Sequence, residues 1–347
     1  MVAVLLVLFS LTIILVYLEE YLGKWKWPIY IIVGIALIYI ASFKVIGNDD
    51  DSSSYELMFL NYDDSIINLT VEASFTLIAR ILNTFTSDVH SIFFFYAIIA
   101  IPLKLYSIHR FSEYLFLPLL VYMSHFFILH DMIEIRASVA AAFFMISVIF
   151  MCEKRKKVAF CILLLSFFFH YSALVLFPLL VLSNKPLSNK WKICLALIVP
   201  IGYVLYYTHF DPLTTISIPY IGNKLEVYQN LKEYGKFDEI LVFKNPILLI
   251  KIAVFYLLLY FHDTVIQHNK NLPLILKIMG ASIGSFFFFS DLPVLSGRLY
   301  ELYGAIDIIS IPLIFYIFKP KWISRTIIIG LSVIMIYMDV FVYSLIR

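Results

Sequence analysis

Apolar residues occupy long runs of this chain, and polar residues are confined to short stretches between those runs. A bilayer core about 30 Å thick needs roughly 18 to 20 apolar helical residues, and lipid admits only helices or closed barrels. The predicted membrane segments are 2–18, 28–46, 91–108, 114–130, 136–152, 158–182, 191–208, 245–261, 272–290, 298–318 and 323–345. We therefore predict one all-α, polytopic transmembrane domain over residues 1–347, with about 10–12 membrane segments.

Lysine and arginine in the short loops predict sidedness, because cytoplasmic loops carry an excess of both. Three loops are marked as cytoplasmic, by Lys24 with Lys26, by Lys104 with Arg110, and by the basic block 153–157. The acidic outer loop 47–90 and the short turn 130–134 then face outward. Within that loop, segment 73–86 is amphipathic and too short to span, so we expect it at the outer interface.

Segment 158–182 decides the rest of the topology. As a single crossing it would place Lys185, Lys190 and Lys192 outside, together with the turn 319–322. Two short helices joined near His170 would instead return these loops to the cytoplasm. Half of the segment reaches only roughly 18 Å into the membrane, and broken backbone at that depth is tolerated where it lines a cavity or is buried in protein. We favour this re-entrant interpretation, which also places the outer loop 209–244 and the turn 290–298 outside.

Composition agrees with a membrane protein. The 347 residues are 62% hydrophobic and 14% charged, with a mean hydropathy of +0.92, whereas soluble domains carry about 25% charged residues. The net charge of +2 indicates no nucleic-acid partner, because the basic residues lie in short loops. Cys152, Cys161 and Cys194 have no metal-ligand spacing and read as buried structural thiols. The N-terminal run lacks a basic region and a cleavage site, which favours a retained first span.

Four polar features are candidates for chemistry. The triplet Asp49-Asp50-Asp51 with Glu72 offers carboxylates for a cation or for general-base catalysis, or else forms a solvated loop. Arg136 begins a span, where it either pairs with Glu134 or Asp131 or binds pyrophosphate through its planar fork.

The other two features are a histidine and a second arginine. His170 is either a packed histidine or a proton acceptor or phosphate ligand. Arg298 either snorkels in an aromatic belt or faces a wet cavity. With 158–182 re-entrant, Arg136 and Arg298 fall at the outer face with the acidic loop, and His170 reaches towards them from the opposite face.

A transferase with a lipid-linked donor typically has basic side chains that bind the phosphorylated leaving group, together with a carboxylate that acts as a base. The sequence has no Walker loop, GxGxxG, HExxH or GxSxG motif, so nucleotide-driven and common hydrolytic chemistries lack support.

The order of short motifs from residue 44 to residue 303 resembles the EpsG-type family of Wzy-like polysaccharide polymerases. The matching residues are Gly47, Asp51, Tyr55 and Phe59, then Glu72 and Phe75, then Ile135, Arg136 and Ala140, then Phe169, His170, Ser172, Ala173 and Leu174, and finally Arg298, Leu299 and Tyr303. Ser52 stands where the family has its first tyrosine, and Lys44 replaces a frequent arginine. The family spacing singles out Asp51 and leaves Asp49 and Asp50 as bystanders.

The resemblance implies a GT-C-like enzyme that polymerises undecaprenyl-pyrophosphate-linked repeat units into O-antigen, capsule or exopolysaccharide. It implies the outer face of a bacterial inner membrane, no metal or other cofactor, and a chain-length regulator as a partner besides the bilayer. We assign Arg136 and Arg298 to pyrophosphate and His170 to the reacting centre. Asp51 or Glu72 is the alternative general base, and Tyr55, Tyr300 and Tyr303 are predicted to bind or orient sugars.

Two other functions stay open. A GT-C transferase moving a single sugar from undecaprenyl phosphate would use the aspartates of the first outer loop. A polysaccharide or lipid flippase is disfavoured, because no paired half-length segments occur in two related halves.

Overall fold

The computed structural model describes residues 1–64, 71–208, 245–290 and 292–347. Every regular element in this part of the chain is helical. The principal helices are α1 (Val2–Leu18), α2 (Lys26–Ser42), α3 (Ser52–Leu60), α4 (Ala73–Asn83), α5 (His90–Phe111), α6 (Phe116–Ile133), α7 (Ile135–Cys152), α8 (Lys156–Phe169), α9 (Tyr171–Val181), α10 (Asn189–Tyr207), α11 (Pro246–Tyr260), α12 (Leu272–Phe288), α13 (Pro293–Gly304), α14 (Asp307–Tyr316) and α15 (Lys321–Val342). The predicted outer loop 209–244 lies outside the described residues.

The helices form a polytopic membrane bundle, as the sequence predicts. Six of those described are long and apolar enough to cross a membrane, and the bent pair α13–α14 makes a seventh. The first six residues of α6, Phe116–Val121, are α-helical, and the remaining twelve, Tyr122–Ile133, form a π-helix. This span is wholly enclosed by its neighbours, so α6 is the central element of the bundle.

The loops of the bundle gather at two ends. At one end Lys26 Nζ donates to the carbonyl of Glu113 (2.7 Å), Arg110 pairs with Glu153 (2.8 Å), and Asn184 donates to Asn271 (3.0 Å). We call this the basic end, because most of the described loop lysines and arginines are there. These are Lys24, Lys26, Arg110, Lys154, Arg155, Lys156, Lys157, Lys185, Lys190, Lys192, Lys270, Lys319, Lys321 and Arg325. The positive-inside rule predicts this end to be cytoplasmic.

Helices α8 and α9 form the predicted re-entrant hairpin. Lys156 Nζ, at the start of α8, donates to the carbonyl of Leu180 (2.5 Å), near the end of α9. The rings of Phe160 and Phe177 lie 5.4 Å apart between the two arms. Both ends of the hairpin therefore lie at the basic end, and its tip is His170, whose extended backbone joins the arms. This geometry confirms the hairpin and excludes a single straight crossing.

Two predicted elements differ from the structure. The predicted span 298–318 is bent by 41° between α13 and α14. At this break Gly304 leaves room for the side chain of Lys251, since a Cβ at Gly304 would lie 2.3 Å from Lys251 Nζ. The predicted turn 130–134 is not a solvated loop, because residues up to Ile133 continue the buried π-helix. Only Glu134 links α6 to α7.

Buried ion pairs cross the bundle core where the sequence shows only isolated charges. Lys104, which we predicted to mark a cytoplasmic loop, is fully buried within α5 and binds Asp131 (2.6 Å) and Ser138 (2.9 Å). That prediction is wrong, because its partners lie on α6 and α7 and offset the cost of a charge at membrane depth. Lys251 likewise pairs with Asp307 (2.9 Å).

The end opposite the basic end, here called the outer end, carries the two short helices α3 and α4. Phe59 and Phe75 are buried between them and the bundle. Leu77 and Ile81 of α4 are half exposed on its other face. This agrees with the predicted amphipathic helix at the outer interface.

Candidate active site

A polar cavity lies at the outer end, beside the tip of the hairpin. It is lined by Asp51, Tyr55, Glu134, Arg136, Ala137, His170, Arg298, Glu301 and Leu302. Its volume is about 70 Å³, several times the roughly 10–15 Å³ that one water molecule needs. The cavity therefore brings five predicted site residues together from four separate segments of the chain.

Glu72 does not line the cavity but binds two residues that do, Arg136 and His170. One carboxylate oxygen accepts from Arg136, and the other accepts from His170 Nδ1 (2.9 Å) and from the backbone N–H of Tyr171 (3.3 Å). Burial raises the pKa of Glu72, but the His170 hydrogen bond and the charge of Arg136 outweigh burial and bring it to about 2. A carboxylate with that pKa is a poor proton acceptor at neutral pH.

The contact with Glu72 orients the imidazole of His170. Because Glu72 is ionised, it accepts, and the proton of neutral His170 must therefore lie on Nδ1. This leaves Nε2 of the neutral ring as an acceptor on a residue that lines the cavity. The arrangement matches the base-and-orienting-carboxylate pair used by many enzymes to keep histidine in the reactive tautomer.

Arg136 is fixed between a carboxylate and two aromatic rings. Its guanidinium carbon lies 5.4 Å from the ring centre of Tyr55 and 5.9 Å from that of Phe75. Its Nε is buried and has no hydrogen-bond partner within the described part of the chain. The predicted alternative, a pair with Glu134 or Asp131, does not form; the partner is Glu72, more than 60 positions earlier in the sequence.

The three aspartates of the acidic loop have different environments. Asp49 pairs with Lys44 (3.0 Å) and accepts from the backbone N–H groups of Asp51 and Ser52. Asp50 is exposed. Asp51 reaches the cavity, where burial raises its pKa above the ordinary range although the charge of Arg136 opposes the shift. Asp51 is thus the carboxylate of the triplet that faces the site, and Asp49 fixes the turn before α3.

Arg298 is the exposed residue of the cavity wall, and no carboxylate of the described residues forms an ion pair with it. The two tyrosines that follow it lie elsewhere. Tyr300 is buried beneath the cavity, with Lys251 Nζ 3.5 Å from its ring centre. Tyr303 is buried against the hairpin and donates to the carbonyl of Val175 (2.5 Å). Of the three predicted sugar-binding tyrosines, only Tyr55 lines the cavity.

Two carboxylates of the site were not singled out from the sequence. Glu134, at the α6–α7 link, and Glu301, on α13, both line the cavity. Burial, followed by the negative charges of Glu301 and Asp51, raises the pKa of Glu134 well above its usual range. A protonated Glu134 donates a hydrogen bond to a hydroxyl group. The sequence signal that could have identified Glu301 was its spacing, since it lies three residues after Arg298 and on nearly the same helix face.

The arrangement combines the guanidinium of Arg298, which has no ion-pair partner among the described residues, a second guanidinium that is oriented by Glu72, and two proton acceptors of different type. Such a site can bind an anionic group at Arg298 and accept a proton at His170 or Asp51. Among the described residues, no group of three or more histidine, cysteine or acidic side chains is arranged to hold a metal ion.

Comparison with protein families matches residues 27–347 to the family described as the EpsG family. The match covers nearly the whole chain, including all lining residues of the cavity. Neither the curated proteins nor the solved structures give a match.

Proposed function

The chain belongs to the EpsG family, and from this membership we propose that it polymerises lipid-linked oligosaccharide repeat units into a surface polysaccharide. The proposed substrates carry undecaprenyl pyrophosphate, and the proposed products are O-antigen, capsule or exopolysaccharide. The proposed place is the outer face of a bacterial inner membrane, since the cavity lies at the end away from the basic loops. A chain-length regulator is a proposed partner.

The reaction is a displacement at the anomeric carbon of the growing chain. A hydroxyl oxygen of the fresh repeat unit forms the new C–O bond, and the C–O bond to the pyrophosphate breaks. The leaving undecaprenyl pyrophosphate keeps the electron pair of that bond. Arg298, aided by Arg136, stabilises the negative charge that develops on the leaving group. Holding the attacking hydroxyl and the anomeric carbon together at the cavity supplies much of the remaining rate enhancement.

The proton of the attacking hydroxyl passes to His170 Nε2. His170 is supported in this role by the Glu72 contact, which holds the proton of the neutral ring on Nδ1. Asp51 is the alternative base, because it lines the same cavity and its raised pKa improves its ability to accept a proton. Glu72 itself is assigned a positioning role rather than the basic role that the sequence left open.

One observation carries this proposal: Asp51, Arg136, His170 and Arg298 line a single cavity within a membrane bundle of the EpsG family. Replacing Arg136, His170 or Arg298 by Ala should abolish long polymer while membrane protein levels stay normal. Arg80→Ala is the matched control, because Arg80 lies at the same end in an exposed pair with Asp63 (3.2 Å) outside the cavity.

Purified protein supplied with lipid-linked repeat units provides the direct test. A ladder of products is expected, and normal polymer from any of the three variants would remove that residue from the site. A single added sugar, or transport without a covalent product, would refute the polymerase assignment.

A further inference from the structure

The hairpin is too short to cross the hydrocarbon core of the membrane. Helix α8 has 14 residues and is about 21 Å long, and α9 has 11 residues in 3₁₀ form, about 22 Å. Both start from the basic end, and the hydrocarbon core is about 30 Å thick. The tip at His170 therefore lies about 8 Å short of a full crossing of the core, and Glu72, at the start of α4, contacts it there.

The exposed side of the cavity is at Arg298. Most of the lining residues are buried or half-buried, whereas Arg298 is exposed. Below it, the hydrogen bond from Tyr303 to Val175 ties α13 to α9. The contact between the two helices is thus closed on the side of the basic end, and the exposed side of the cavity lies above that bond.

The surface beside this mouth is apolar. Tyr171 is 51% exposed and Leu174 is 61% exposed, although the preceding residue, His170, lines the cavity. Two adjacent residues therefore belong to the polar wall and to an exposed apolar surface. An exposed arginine with no ion-pair partner among the described residues, next to an apolar surface, fits an amphiphile with an anionic head and a hydrocarbon tail.

We propose that the cavity opens sideways to the outer leaflet above the hairpin tip, and that the polyisoprenoid tail of the lipid-linked substrate lies against Tyr171 and Leu174. Its pyrophosphate then meets Arg298 at the exposed side of the cavity. This entrance rests on the proposed function, since it assigns the route by which that substrate reaches the cavity.

A second apolar surface provides an internal comparison. A groove of about 380 Å³ runs between α10 and α12 and is lined by Ile201, Gly202, Gly284 and Phe288, among others. It is open to lipid but lies on the opposite side of α13 from Arg298, because Ser296 and Tyr300 of α13 contact Phe286 of α12. No cationic side chain of the described residues lines it, so it gives no reason to prefer an anionic lipid.

Photo-crosslinking tests the entrance. A benzophenone side chain is introduced at Leu174, at Tyr171, or at the control position Ile201, which is 52% exposed in the groove. Each protein is placed in nanodiscs of phosphatidylethanolamine and phosphatidylglycerol with radiolabelled undecaprenyl pyrophosphate and irradiated. We expect label transfer at Leu174 and Tyr171 to exceed that at Ile201 several-fold. Excess unlabelled undecaprenyl pyrophosphate should suppress it, and excess phosphatidylglycerol should not.

Arg298→Gln in the Leu174 protein should raise the concentration of undecaprenyl pyrophosphate needed for half-maximal labelling about tenfold or more. Equal labelling at Leu174 and Ile201, or labelling that ignores Arg298→Gln, would overturn the entrance. The polymer assay on the same preparation separates the two proposals. Polymer without selective labelling overturns only the entrance, and selective labelling without polymer overturns the polymerase function.

Discussion

Replacement of Glu72 by Gln tests the role of the residue that connects Arg136 to His170. The change keeps the size of the side chain and removes its charge. The buried guanidinium of Arg136 then loses its ionic partner, and His170 Nδ1 loses a charged acceptor. Because the glutamine amide can donate as well as accept, His170 is no longer held in the tautomer with a free Nε2.

The magnitude follows from the pKa of Glu72, about 2 against an ordinary value of 4.5. At about 1.4 kcal/mol per pKa unit, folding stabilises the ionised over the neutral carboxyl by about 3 kcal/mol relative to the unfolded chain. The Glu72 side chain is only 5% exposed, so solvent screening is small. Removal of one partner from a buried ion pair generally costs about 3–5 kcal/mol, which agrees.

The assay has two readouts. Thermal unfolding of the purified protein should show a clear loss of stability for Glu72→Gln, whereas Asp63→Asn, in an exposed pair, should change little. Initial rates of polymer formation should fall by about 10²–10⁴-fold through kcat, the usual contribution of a general base. Glu72→Asp should recover part of the rate. A Glu72→Gln enzyme with more than half the normal rate would refute the positioning role.

The pH dependence of stability gives an independent check. The pKa of Glu72 is lowered on folding, so its stabilising contribution is fully present above about pH 4.5 and is lost as the pH falls towards 2. The difference in unfolding temperature between wild type and Glu72→Gln should therefore shrink as the pH falls below about 4. A difference that does not change down to pH 3 would contradict the assignment.

Two further predictions concern other parts of the site and its support. Arg298→Lys keeps the charge but loses the planar fork, so kcat/KM for the lipid-linked substrate should fall about tenfold or more in initial-rate measurements; an unchanged value would exclude bidentate binding there. Gly304→Ala places a Cβ 2.3 Å from Lys251 Nζ, which is held by Asp307, and should lower the unfolding temperature. Gly330→Ala, with nothing within 4 Å, should be neutral, and equal stability of the two variants would refute this steric explanation.

The hairpin shows how far a sequence pattern reaches in a membrane protein. Segment 158–182 has one apolar run, yet the basic residues at Lys185 and Lys190 favour a turn back to the same side. The structure places both of its ends at the basic end and His170 at its tip. This prediction succeeded because the basic residues of all the loops together constrain on which side each end of a segment lies. It was not visible in the local hydropathy of the segment.

The roles of individual charges were harder to predict. Lys104 looked like a loop residue and is buried in α5, because Asp131 and Ser138 compensate it from other helices. Asp49 and Asp51 are equivalent by composition, yet one fixes a turn and the other faces the cavity. Such differences depend on which side chains meet across the bundle, and spacing along one helix does not contain that information.

The sequence by itself determined the helical membrane bundle and favoured the hairpin and the residue types at the outer end, since hydropathy, charge bias and motif order act along the chain. Tertiary structure alone decided that Glu72 joins Arg136 to His170 and that Tyr300 and Tyr303 lie outside the cavity. It also decided that Glu134 and Glu301 belong to the cavity. The physical reason is that pairing energies and pKa shifts depend on distance and burial, and contacts between residues 60 to 160 positions apart set both.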